Sequence, residues 1–269
     1  MMALKKLYLG AILFFMYAPI FVLMVFSFNA SRARNTWDGF TLDWYVQLFN
    51  DPSIRRALTN TLLIAVFSTV LATSIGTMAA VGIDKLKKRS KGVIMGVTRM
   101  PIMMPDIVTG LSLMVLFLFF FRLFGFGNLG FGTLLLAHII FNVPYVILSV
   151  IPKLRQMDSN LYEAALDLGS SPLRAFIQVI LPQIWPGVVT GAMLAFTLSV
   201  DDFMVSFFTT SPEVQNLSIL IFSMTRRGVD PRINALSTLI FAVIMILLFV
   251  IHKRDQRLAK TRGTENEGL

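Results

Sequence analysis

The chain has 269 residues, of which 55% are hydrophobic and only 14% charged, with a mean hydropathy of +0.72. A soluble globular domain carries roughly 25% charged residues, so this composition excludes an ordinary soluble enzyme, a disordered chain and a nucleic-acid-binding domain. In so apolar a chain, the excess of basic residues behind the net charge of +9 is typical of a protein whose basic side chains lie in the loops that flank membrane spans. The sequence holds no cysteine, which excludes disulfides and thiolate metal sites. These features predict an integral membrane protein whose partner is the lipid bilayer, not a nucleic acid.

Six apolar stretches are long enough to cross a bilayer, which takes about 20 helical residues. In chain order they are Leu7–Phe28, Thr59–Ile83, Val93–Phe121, Gly132–Ile151, Trp185–Phe208 and Ile233–His252. The first apolar run is too long for the core of a signal peptide, so we interpret it as a retained span. The sequence therefore predicts an all-α membrane protein with an N-terminal segment 1–6, one six-span domain over 7–252 and a tail at 253–269.

The distribution of Lys and Arg predicts how these spans are oriented, because cytoplasmic loops carry an excess of both residues. If the N-terminus is inside, the inner segments hold almost twice as many Lys and Arg residues as the outer ones. The strongest contribution is a cluster between spans two and three, formed by Lys85, Lys87, Lys88, Arg89 and Lys91. We therefore expect both termini in the cytoplasm.

Small residues recur at four-residue spacing in spans two and five, at Ala72, Gly76, Ala80, Gly187, Gly191 and Ala195. Such stripes let helix backbones approach closely in lipid, so we interpret them as helix-packing surfaces. The chain shows no convincing internal repeat, which weakens the interpretation as a secondary transporter.

The longest inner connection, at about 152–183, predicts two short helices in the cytoplasm. Asn160 is placed to cap the first helix, and Gly169 to end it. Ser171–Pro172 begins the second helix, which Leu181–Pro182 is expected to stop. An alanine-bearing face suits docking into a groove on a partner, whereas the acidic side chains argue against a helix that lies on the membrane.

This connection resembles the coupling loop of ABC-importer permeases. The residues that match that motif in type and spacing are Glu163, Ala164, Ala165, Gly169, Leu181 and Pro182, while Val179 stands where the motif has isoleucine. The resemblance implies that the loop fits a cleft on a separate cytoplasmic ATPase. The chain has no Gly-Lys dipeptide and therefore no P-loop, so it is not the ATPase. We expect no cofactor in this chain, with ATP and Mg²⁺ bound by the partner.

Three aspartates stand inside predicted spans, where ionisable residues mark functional sites by default. Asp106 lies about 20 Å along span three, and Asp201 and Asp202 lie at a similar depth in span five. Adjacent residues point about 100° apart on a helix, so only one of the pair is expected to face a pathway. Carboxylates suit a cationic solute; the alternative is a helix-terminal acid or a partner for an arginine or a backbone amide. Pro105 is expected to break span three just before Asp106.

Other polar and aromatic residues leave two interpretations open. Trp44, in the first outer loop, belongs either to an aromatic belt at the interface or to a gate that stacks on a cationic solute. His138 and Asn142, four residues apart in span four, superficially resemble a metal or proton site. Because no third ligand accompanies them, we expect hydrogen bonds between helices instead.

Longer stretches resemble the permeases of spermidine/putrescine ABC importers. The matching segments lie at Tyr17–Arg32, Met104–Leu113, Glu163–Phe176, Leu194–Phe208 and Arg226–Leu236. The resemblance implies a sister six-span permease, two copies of an ATPase, an extracytoplasmic polyamine-binding protein and a bacterial inner membrane. The alternatives are an ABC permease for another small solute or, less in keeping with the loop, a secondary transporter or channel acting alone. The sequence also offers no paired catalytic groups for a membrane enzyme, since its two histidines, His138 and His252, are far apart in the sequence.

Overall fold

The computed structural model describes residues 2–32, 36–125, 127–158, 160–226, 230–242 and 245. Within these residues the regular structure is helical, apart from an isolated bridge between Asn29 and Phe40. The helices are α1 Met2–Phe26, α2 Asp43–Asn50, α3 Pro52–Asp84, α4 Lys88–Met103, α5 Asp106–Phe124, α6 Phe131–Gln156, α7 Asn160–Asp167, α8 Pro172–Ala175, a π-helical turn Phe176–Ile180, α9 Leu181–Asp201, α10 Met204–Thr209, α11 Leu217–Arg226 and α12 at 231–242.

Five of the described helices are long and apolar enough to cross a membrane. They are Lys5–Phe26, Pro52–Asp84, Asp106–Phe124, Phe131–Gln156 and Pro172–Asp201. The sixth predicted span is helical from its start to residue 242, and its remaining residues, His252 and the tail 253–269 lie outside the described residues. The all-α membrane architecture is therefore confirmed, while the sixth span remains a prediction.

The predicted span three, Val93–Phe121, consists of two helices, α4 and α5. The break at Met104 and Pro105 confirms the expected effect of Pro105, because the residue before a proline is pushed out of the α region. Pro101, by contrast, lies inside α4. Asp106 is consequently the first residue of α5, in keeping with the expected break just before it.

Span five begins earlier and ends earlier than the predicted range Trp185–Phe208. The expectation that Leu181–Pro182 stops the cytoplasmic helix is wrong, because the helical path continues through the π-helical turn into α9. In that turn the backbone N–H of Leu181 donates to the carbonyl of Phe176, five residues back, and the wider turn accommodates the proline ring. The helix then ends at Asp201, and α10 begins separately at Met204.

The chain divides into two compact units, one of Met1–Arg55 with Ile221–Leu269 and one of Arg56–Leu220. In the second unit α6 packs on α9, and the fully buried Val146 lies where Gly76 and Gly191 leave room for it. The predicted stripes of small residues are thus confirmed as packing surfaces.

Substituting Gly187 by alanine is expected to destabilise the α6–α9 contact. A Cβ at this position would lie 2.8 Å from the backbone oxygen of Ser149, which cannot move aside as a flexible side chain would. Overpacking of this kind costs about 1–3 kcal/mol, so the midpoint of thermal unfolding in detergent should fall. Gly92→Ala is the matched control, because a Cβ there meets nothing within 4 Å. Equal midpoints for the two variants would contradict this account.

Candidate functional site

The second unit contains an acidic cavity of about 300 Å³ that brings the three predicted aspartates together. Its lining residues are Asp106, Phe141, Thr197, Leu198, Asp201, Asp202, Phe203 and Met204. This lining carries three carboxylates, two aromatic rings and no basic side chain. We call it the acid cavity.

Two helix ends place the exposed carboxylates of the acid cavity. Asp106 is the first residue of α5, and Asp201 is the last residue of α9; both are exposed in the subunit. The two ends meet because Gly110, one turn into α5, lies directly against α10. A Cβ at Gly110 would be only 2.9 Å from the backbone oxygen of Met204. The absence of a side chain at Gly110 therefore allows Asp106 to approach the end of α9.

Asp202 has a different environment from its neighbour, and its side chain is only 5% exposed. Its carboxylate accepts the backbone N–H of Val205 at 3.2 Å and that of Ser206 at 2.7 Å, so it caps the start of α10. The Nε2 atom of His138 lies 3.6 Å from the same carboxylate. Asp202 is thus bound within the protein, and Asp201 is the member of the pair whose side chain is exposed.

Buried polar side chains link α3, α6, α9 and α10 beside the acid cavity. Nε2 of His138 is 3.0 Å from the hydroxyl of Ser206, and the amide of Asn142 donates to the hydroxyl of Ser199 at 2.7 Å. Ser199 also pairs with the hydroxyl of Ser68 at 2.9 Å. The expected hydrogen bonds of His138 and Asn142 between helices are confirmed. The sequence interpretation missed the serines, because serine in a span is equally typical of simple close packing.

An exposed face of α9 leads away from the acid cavity, and the sequence interpretation did not single it out. Its residues recur every four positions, at Trp185, Val189, Met193, Thr197 and Asp201. Beside it, α3 and α9 enclose an almost wholly apolar groove of about 600 Å³. The four-residue spacing was the sequence signal that could have identified this face.

Trp44 belongs to the first unit and is only 6% exposed. Its indole N–H donates to the backbone oxygen of Asn29 at 2.7 Å, and the side chain of Asn29 in turn binds the backbone of Thr36 and Asp38. The ring therefore anchors the loop between α1 and α2. In this conformation it has no free face on which a solute could stack, so we leave Trp44 out of the solute pathway proposed below.

The coupling loop folds largely as its motif predicts. Gly169 adopts the left-handed conformation with φ of +81°, and the backbone N–H of Ser170 donates to Ala165 at 3.0 Å to close the end of α7. Ser171 accepts the backbone N–H of Arg174 and so caps α8, as expected. Asn160 is a correction, because it is the first residue of α7 and its own N–H is bound by the carboxylate of Asp158.

Helix α7 presents an apolar face that none of the described residues covers. Leu161, Ala164 and Leu168 share that face, with Leu168 87% exposed. Glu163 is also exposed, whereas Tyr162 packs on the neighbouring core cluster, which includes residues of α3, α6 and α9. An exposed apolar face on a short helix outside the spans is a surface suited to a protein partner.

Helices long enough to span a membrane, an acidic cavity at the ends of two of them and an exposed short helix outside the spans are in keeping with a membrane permease. Residues 72–258 match the model of the family described as binding-protein-dependent transport system inner membrane component. Over 262 residues the chain is 40% identical to the spermidine/putrescine transport system permease protein PotC of Escherichia coli K12, covering 97% of this chain and 96% of that protein. The chain therefore belongs to this family of inner membrane transport components.

Another relative and two solved structures agree with that assignment. The putrescine transport system permease protein PotI of Escherichia coli K12 is 38% identical over 251 residues, covering 92% of this chain and 89% of that protein. A bacterial ABC transporter that imports the acidic polysaccharide alginate matches with a TM-score of 0.70 at 17% identity, covering 93% of this chain and 94% of that chain. The MetNI methionine ABC transporter matches with a TM-score of 0.56 at 18% identity, covering 82% of this chain and 99% of that chain. At these identities the solved structures establish the ABC-importer permease fold alone.

Proposed function

We propose that this chain is the permease subunit of an ATP-driven importer for polyamines, spermidine, putrescine or both. The observation that carries the proposal is the identity of 40% to PotC over nearly the whole of both chains. The acid cavity supports it independently of that relationship, because Asp106 and Asp201 expose two carboxylates in a lining without basic residues. Such a lining favours a cation and disfavours an anion.

The surroundings of the acid cavity suit the rest of a polyamine. A polyamine carries ammonium groups separated by methylene chains, so its pathway requires acids and apolar surface in alternation. The α9 face offers both, with Asp201 at one end and Val189, Met193 and Trp185 further along. The indole of Trp185, 55% exposed, is also a platform for a cation.

The exposed apolar face of α7 supports a role in coupling. In the proposed assembly, two cytoplasmic ATPases bind ATP and Mg²⁺, and one of them receives α7 in a cleft. A sister six-span permease completes the pathway as a heterodimer, and an extracytoplasmic protein delivers the polyamine. Both termini then lie in the cytoplasm of a bacterium, on the inner face of its plasma membrane, in keeping with the five basic residues at 85–91.

The proposal is tested by reconstituting the chain with its sister permease, ATPase and binding protein in proteoliposomes. We expect ATP-dependent accumulation of labelled putrescine or spermidine, with competition by unlabelled polyamine but not by an amino acid or an anion. ATP-dependent uptake of another cation alone would support the alternative of a permease for a different solute. Uptake by this chain without the ATPase would instead indicate a stand-alone transporter.

Enlarging the exposed face of α7 is expected to release the ATPase. Ala164→Trp places a large ring at an exposed position, where it disturbs docking without a clash inside this chain. A misplaced interface anchor costs about 2 kcal/mol or more, so the affinity for the ATPase should fall at least about tenfold. Co-purification and the ATPase rate of the assembled complex measure this loss. Ala30→Trp, at an exposed alanine of the first outer loop, is the control. Undiminished assembly by Ala164→Trp would exclude α7 as the docking helix.

A further inference from the structure

We propose that Lys85 is a positioning residue that connects the coupling helix α7 to the spanning helix α3. The inference rests on the coupling role proposed for α7 and extends it to the next element that must move. Lys85 follows directly after Asp84, the last residue of α3. Its ammonium nitrogen lies 4.2 Å from the ring centroid of Tyr162, which is on α7. A cation at that distance from an aromatic ring is held by the negative face of the ring.

The end of α3 that Lys85 follows is fixed by its contacts with the rest of the second unit. Ile83, two residues earlier, is buried in the core cluster of the second unit. On the other side, the carboxylate of Asp84 binds the ammonium of Lys91 at 2.6 Å and so closes the turn between α3 and α4. A lysine presented from such a turn moves with α3, because its backbone has little freedom of its own.

The side of α7 is packed less completely. A cavity of about 460 Å³ separates α7 from the ends of α3 and α6, with Lys85, Tyr162 and Glu163 in its lining. Among the described residues this space is unfilled, so Tyr162 carries the packing of α7 on the core cluster that contains Ile83 of α3. The contact between the ammonium of Lys85 and the ring of Tyr162 crosses this cavity, so it transmits a displacement of α7 directly to the end of α3.

The two faces of α7 thus have different tasks. Leu161, Ala164 and Leu168 face outward for the ATPase, while Tyr162 faces the permease core. When the ATPase moves α7, the ring of Tyr162 moves with it and displaces the ammonium of Lys85. The attraction between ring and cation also lets α7 pull α3 back when the ATPases reopen, which simple contact between apolar groups would do less effectively.

The test measures ATP hydrolysed per solute imported by the reconstituted transporter. Lys85→Gln and Tyr162→Leu each remove one half of the contact and should raise this ratio about two- to fivefold, the effect of losing one exposed cation–aromatic contact. Lys85→Arg and Tyr162→Phe keep a cation and a ring, so both should retain the wild-type ratio. The double variant Lys85→Gln with Tyr162→Leu should be no worse than either single variant, since all three lack the same contact.

Lys88→Gln, at the first residue of α4, is the control for the loss of one positive charge three residues away. A wild-type ratio in Lys85→Gln, or effects of the two single variants that add in the double variant, would overturn the inference. So would an equal effect of Lys88→Gln. These results are distinct from a failure of the proposed function, in which the wild-type assembly itself would import no polyamine or would not retain the ATPase.

Discussion

Replacing Asp201 by asparagine is expected to reduce polyamine import by at least about tenfold while the protein still folds and assembles. Asp201 ends α9 with an exposed side chain in the acid cavity, so the substitution removes a charge without leaving a buried group unpaired. A hydrogen bond to a charged group contributes about 1.5–3 kcal/mol, which corresponds to a loss of one to two orders of magnitude in kcat/KM. Asp106→Asn should act in the same direction, because Asp106 shares the cavity and is also exposed.

Uptake kinetics in proteoliposomes measure this effect, with the amount of assembled transporter determined in the same samples. Asp201→Glu keeps the charge and should retain most of the activity. Glu213→Gln is a matched control, since it removes an exposed acid that does not line the cavity. Unchanged kcat/KM in both Asp106→Asn and Asp201→Asn would show that the acid cavity is not on the solute pathway.

Replacing the adjacent Asp202 by alanine is expected to destabilise the protein itself. The substitution leaves the backbone N–H groups of Val205 and Ser206 without their acceptor and removes the carboxylate near His138. Each unsatisfied buried donor costs about 1–3 kcal/mol, so the combined loss for the two donors is about 2–6 kcal/mol. Because α10 packs closely on α5 at Gly110, the damage should spread to the wall of the acid cavity.

The midpoint of thermal unfolding of the purified subunit in detergent distinguishes the two neighbours. Asp202→Ala should lower it by several degrees, and Asp202→Asn should lower it less, since an amide oxygen still accepts one N–H. Asp201→Ala should leave the midpoint nearly unchanged. If Asp202→Ala unfolds at the wild-type temperature and loses only transport, Asp202 is a solute ligand and the structural role argued from its hydrogen bonds is wrong.

Much of the coupling loop was predictable because local chemistry determines it. Gly169 adopts a left-handed backbone conformation that residues with a Cβ atom rarely adopt. The side chain of Ser171 caps α8, and the ring of Pro172 suits the first position of that helix. The break before Asp106 was predictable for the same reason, since Pro105 acts on its immediate neighbour. Pro182 shows the limit of such reasoning. A proline usually ends a helix, yet a π-helical turn at Phe176–Ile180 accommodates it.

The acid cavity and Trp44 show the same division between what the sequence predicts and what depends on tertiary contacts. The three aspartates were identifiable as candidates, because a charge in an apolar segment is costly wherever the segment folds. Which of Asp201 and Asp202 is exposed depended on α10, whose backbone N–H groups bind Asp202. Likewise, the sequence around Trp44 left an aromatic belt and a gate open, whereas the bond from its indole to Asn29 and its burial show that it anchors its own loop.

The sequence by itself determined that this protein lies in a membrane, where its apolar helices run and which loop carries the coupling motif. These properties follow from composition, from the length of apolar runs and from turns closed by neighbouring residues, all of which can be read along the chain. Only the tertiary structure decided that Asp106 meets Asp201 and that Lys85 meets Tyr162. These contacts depend on close packing between helices that are far apart in the sequence, such as α5 and α10 at Gly110. The distance between two such helices cannot be deduced from the order of residues along the chain.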